Sequence, residues 1–80
     1  MDIELARDVV RTAFRSSAEL QTLLPVLKQR CGAEEYKDYV LGIAAALDAI
    51  GVGLTNKAIA AHPGLAGEIE SSLAKHGHFS

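Results

Sequence analysis

The sequence predicts an all-α fold: a long helical hairpin followed by a short C-terminal helix, one domain over residues 1–80, with two copies pairing into a four-helix-bundle dimer. Three observations carry this expectation. Alanine and leucine, both strong helix formers, are the commonest residues, with 13 and 10 copies. No stretch alternates apolar with polar residues for long enough to make a half-buried strand. Apolar residues recur instead at three- and four-residue spacing along most of the chain.

The first helix is read over residues 3–31. Ile3, Ala6, Val10, Ala13, Ser17, Leu20, Leu24, Leu27 and Cys31 follow one another at 3-4-3-4-3-4-3-4 and keep a narrow stripe on one side. Pro25 has no N–H and clashes with the carbonyl of Gln21, so a bend is expected near Pro25. Ser16-Ser17-Ala18-Glu19 also reads as a capping box that would start a new helix. The stripe passes through it without slipping, which favours one bent helix. Gly32 follows at once and suits the left-handed conformation that ends many helices.

The second helix is read over residues 34–61. Glu34 and Glu35 suit the positive end of a helix dipole. Tyr36, Val40, Ile43, Leu47, Ile50 and Leu54 then repeat at 4-3-4-3-4, with Ala58 and Ala61 continuing the stripe. Gly51 and Gly53 are weak points, each costing about 1 kcal/mol relative to alanine. A break there, with Thr55 or Asn56 capping a successor, would give a monomeric three-helix bundle instead. His62-Pro63-Gly64 punctuates the chain, with Pro63 suited to the first position of a third helix. Leu65, Ile69 and Leu73 make that helix amphipathic over about 64–75, Gly77 ends it, and Phe79 is placed to pack back on Leu73.

The dimer follows from an excess of apolar surface. A mass of 8.5 kDa implies roughly 4,700 Å² of accessible surface for a compact fold, a radius of gyration near 12 Å and a width of about 30 Å. A helix over residues 3–31 is about 43 Å long, longer than such a globule. Leu5, Val9, Leu23 and Val26 lie beside the main stripe of the first helix. Gly42, Ala46, Ala49 and Gly53 make a line of small residues on the second, where backbones can approach closely. Leu23, Val26, Gly42, Ala46, Ala49 and Gly53 are therefore the expected interface positions.

Candidate chemistry is sparse. Arg7, Arg11 and Arg15 share one helical face and could contact phosphates, but Glu4, Asp8 and Glu19 lie close enough to pair with them. The formal charge of −2 and the absence of interleaved aromatics weigh against nucleic acid as partner. His62, His76 and His78 are candidate metal ligands, two of them flanking Gly77. Cys31 is the only cysteine, so no intrachain disulfide forms, and it sits on the apolar stripe as a small hydrophobe. Asp48 interrupts the apolar run of the second helix and reads either as a buried functional acid or as a solvent-facing residue. The run before it falls short of the roughly 20 residues of a membrane span, so no membrane is expected. The acidic N-terminus does not read as a signal peptide, which makes the cytoplasm the expected compartment.

No phosphate loop, nucleophile elbow or dinucleotide fingerprint occurs, and no cofactor is expected. The sequence thus reads as a small homo-oligomeric interaction or regulatory module without its own catalysis, open to a protein partner. A nucleic-acid-binding regulator using the arginines and a metal-binding accessory subunit using the histidines are the alternatives.

Overall fold

In a computed structural model describing residues 1–77, helix α1 (Ile3–Gln21) starts where Asp2 accepts a hydrogen bond from the Leu5 N–H at 2.8 Å. This cap satisfies one of the amide donors that have no partner inside the helix. Helix α2 (Leu23–Arg30) continues from it through Thr22. The bend expected near Pro25 therefore falls three residues earlier. Pro25 cannot donate to the Gln21 carbonyl, so the regular ladder ends at Gln21 and not at the proline itself. Thr22 closes the joint: its N–H is shared between the Ala18 and Glu19 carbonyls, and its hydroxyl donates to the Glu19 carbonyl at 2.6 Å. The capping box at Ser16 starts nothing, because α1 runs through it. All nine stripe residues from Ile3 to Cys31 are buried or half-buried.

Cys31 and Gly32 make the hairpin turn in extended backbone, at φ −113°, ψ 154° and φ −69°, ψ 166°. Gly32 thus does not use the left-handed region; it stands as the N-cap of helix α3 (Ala33–Ile50). Glu34 and Glu35 occupy the first turn of α3, as the dipole favours. After Ile50 the helix widens into one π-helical turn, Gly51–Thr55, and continues as α4 (Asn56–Ala61). The two glycines therefore widen the helix without breaking it, and neither Thr55 nor Asn56 caps a new one. The wider turn inserts a residue into the heptad. Its consequence is a corrected phase: Leu54, expected in the stripe, is 44% exposed, while Ala58 is fully buried.

His62 leaves the helical region at φ −137°, ψ 83°. Pro63 and Gly64 form a turn in which the Leu65 N–H donates to the His62 carbonyl at 2.9 Å, so the third helix, α5 (Leu65–His76), starts two residues after the proline. Gly77 ends it at φ +75°, in the left-handed region where a side chain would be strained. The contact expected between Phe79 and Leu73 lies outside the described residues.

Helix α1 packs against α3, the π turn and α4, α2 packs against α3, and α5 folds back beside α4. The core lies at this base. Ala6, Val10, Ala58, Leu65 and Ile69 form it, with Ile3, Val9, Phe14 and Ile59 around them. Arg7 of α1 clasps Glu68 of α5 through both carboxylate oxygens, at 2.9 and 3.2 Å, and also pairs with Glu4. His62 donates from Nε2 to the Met1 carbonyl at 2.9 Å and ties the corner to the chain start. Towards the hairpin tip the seam thins, and no residue of α2 is buried. The molecule is elongated, with extents of 45 × 25 × 15 Å.

Candidate functional site

The feature that stands out is an apolar helix left uncovered. From Ala33 to Ala61 the α3–α4 helix runs for 29 residues with a mean hydropathy of 1.4 in its most apolar window, of which 6% is buried. A helix this apolar belongs in a core. Here α1 and α2 cover one side only, where Ile43 is buried and Val40, Leu47 and Ile50 are half-buried. The remaining sides face outward.

The expected interface residues fall on this open surface or near it. Leu23 and Val26 of α2 are 47% and 48% exposed. Gly42 and Ala49 are exposed, and Ala46 and Gly53 half-buried. A methyl group built on Gly42 or Gly53 would meet no atom within 4 Å, so no neighbouring helix occupies the small-residue line. Tyr39, 52% exposed, and the displaced Leu54 stand exposed on the same helix. An open hollow of about 510 Å³ at the α1–α2 joint is lined by Ser16, Glu19, Leu20, Thr22 and Leu23.

A second exposed line on α3 escaped the sequence reading. Leu41, Ala45, Asp48 and Val52 are spaced 4-3-4, and all four are exposed. Each precedes a small-residue position by one, so this line lies about 100° round the helix from it. The spacing was visible in the sequence. Asp48 at its third place hides it; of the two readings of that residue, the solvent-facing one holds and the buried acid does not. Asp48 is exposed, and its side chain makes no hydrogen bond or ion pair among the described residues.

The charged candidates are mostly engaged. Arg7 holds Glu68 and Glu4, and Arg11 pairs with Asp8 at 3.1 Å, while Arg15 is exposed. The hydrogen bond from Arg7, opposed by partial desolvation, holds the Glu68 carboxyl below its ordinary range, helped by the charges of Arg7 and Arg11. The same contact raises Arg7. His62 lies at the α4–α5 corner and His76 ends α5; His78 lies outside the described residues. Among the described residues no group of three or more His, Cys, Asp or Glu side chains is placed to hold a metal ion. Cys31 is half-buried at the hairpin turn. The neighbouring Glu35 carboxylate, with partial desolvation, pushes its thiol above the ordinary value.

Length needs a correction where the membrane is concerned. The uninterrupted apolar run stops at Asp48, but the helix continues through it and is long and apolar enough to cross a bilayer by length and composition. The carboxylate near its middle opposes this by about 2.5–3.5 kcal/mol at a bilayer centre. Family models, curated proteins and solved structures offer no match to this chain.

Proposed function

We propose that this chain is a small homodimeric protein-interaction module of the cytoplasm, without catalysis of its own. In this reading Gly42, Ala46, Ala49 and Gly53, with Leu23 and Val26, are covered by a second copy, and two hairpins stack as a four-helix bundle.

One observation carries the reading. The accessible surface is 5492 Å², about 800 Å² more than the roughly 4,700 Å² of a compact chain of this mass. A standard interface takes about 800 Å² from each partner. A hairpin one helix thick becomes a two-layered fold on pairing, which is the arrangement that gives a helical domain its core. Both alternatives draw less support. Two of the three arginines are already neutralised by carboxylates, and His62 is spent on a backbone carbonyl.

Ala46→Glu tests the assignment. It places a carboxylate without a cation in the seam of both copies, at a cost of about 3 kcal/mol or more. Sedimentation equilibrium should show the dimer weakened at least about 100-fold while the helical circular dichroism is kept. An unchanged mass would remove Ala46 from the interface. Recovery of the wild-type chain with phosphatidylcholine vesicles, and not as pairs, would give the face to lipid and overturn the reading.

A further inference from the structure

We propose that the outer seam Leu41–Ala45–Asp48–Val52 docks a separate protein: an amphipathic helix that places a lysine or arginine between two apolar anchors. Leu41 and Val52 are 61% and 59% exposed, the most exposed large apolar side chains after Met1 among the described residues. They stand 11 positions apart, about 16 Å along the helix, so a partner of three to four turns reaches both. Ala45 between them lets the partner approach closely. Helix-on-helix recognition of this kind reads anchors at such spacing. The occupant is specified by Asp48, an acidic side chain with no side-chain partner among the described residues, placed between the anchors. Any apolar helix lying on this seam would strip water from that carboxylate without replacing it. A helix with a cation opposite would pair it and gain a charge-assisted hydrogen bond.

Pairing of this seam with itself in a second copy does not supply that cation. On α3, the π turn and α4 the cations are Lys37 and Lys57, which are 11 and 9 residues from Asp48, about 16 and 14 Å. An antiparallel copy that sets Leu41 against Val52 puts both lysines beyond the two anchors. Sliding the copy until Lys37 meets Asp48 withdraws Val52, and sliding it until Lys57 does so withdraws Leu41. A parallel copy sets Asp48 against Asp48. Each arrangement loses an anchor or leaves carboxylates unpaired in one seam. A single polar position inside an apolar seam is a known device for choosing among partners.

The inference rests on the interaction reading given above but not on the pairing of two copies, and its test keeps them apart. Two fluorescent alanine-based peptides of about 18 residues are titrated with the full chain. Each carries two leucines 11 positions apart, with lysine or glutamate at the two seam positions between them. The lysine peptide should bind about tenfold tighter than the glutamate peptide. Asp48→Lys should reverse the order and Asp48→Asn should level it, with helical content unchanged because the position is exposed. Sedimentation of each mixture reports whether the chain is single or paired, so failure of the dimer and failure of the seam are read separately. Equal affinity of the two peptides for the wild-type chain, no binding of either by about 1 mM, or partition of the chain into phosphatidylcholine vesicles through this face would overturn the proposal.

Discussion

Replacing Leu65 by alanine tests whether the fold is held at its base. Leu65 is completely buried, one of two large side chains at that limit among the described residues, and it joins α5 to Ala6, Val10 and Ala58. Truncating a leucine in such a position removes its transfer free energy and leaves a cavity, together about 3–5 kcal/mol. An 80-residue domain has a total stability of about 4–12 kcal/mol, so much of it rests on this one side chain. At about 4 °C or more per kcal/mol, the melting temperature should fall by at least about 12 °C. Leu73, two turns along the same helix, is 42% exposed and leaves no closed cavity, so Leu73→Ala should cost about 1 kcal/mol or less. Thermal melts followed by circular dichroism give both values, compared at one protein concentration because pairing shifts the midpoint. Equal losses in the two variants, or a loss below about 1 kcal/mol for Leu65→Ala, would show that α5 is not anchored by this core.

Three further outcomes follow from particular contacts. Glu68 holds its proton less readily in the folded chain than in the unfolded one, so its contribution is complete at neutral pH and is lost as pH falls from about 4.3 through the lower folded value. Glu68→Gln should flatten the acid side of the stability profile in melts from neutral pH downward; an identical slope in both proteins would exclude the Arg7 clasp as its source. The Cys31 thiol, pushed up by Glu35, should react with a disulfide reagent more slowly at neutral pH than an ordinary thiol, and Glu35→Gln should speed it. Unchanged rates in the variant would contradict that contact. At Gly51, with helical φ −60°, ψ −50° and no atom within 4 Å of an added methyl, alanine should stabilise the fold by about 0.4–1 kcal/mol in urea titrations. Destabilisation would mean that the π turn needs glycine there.

The sequence made the seam legible because one buried side per helix imposes a period, and that period survives from Ile3 to Cys31 and from Tyr36 to Ile50. What it hid were events the period does not encode. Pro25 marks a bend, but the joint forms where the orphaned carbonyl sits, at Gln21–Thr22. Two glycines mark weakness, but only the packed structure decides between a break and a wider turn, and so Ala58 keeps its expected place in the stripe while Leu54 and Ala61 turn outward. The Arg7–Glu68 clasp joins residues 61 positions apart and leaves no local signature. The Leu41–Val52 line was periodic all along, yet a carboxylate at its third place disguised it. Both open lines on α3 come from one property: the helix is apolar nearly all round, while among the described residues only the α1–α2 arm lies along it.

Small-angle scattering of the wild-type chain at low micromolar concentration reads that property most directly. Pairing of hairpins side by side predicts a forward scattering equal to twice 8.5 kDa, with a longest dimension that stays close to 45 Å. A scattering mass of 8.5 kDa with a radius of gyration near 14.9 Å would mean that one chain tolerates its open faces alone, and would contradict the account.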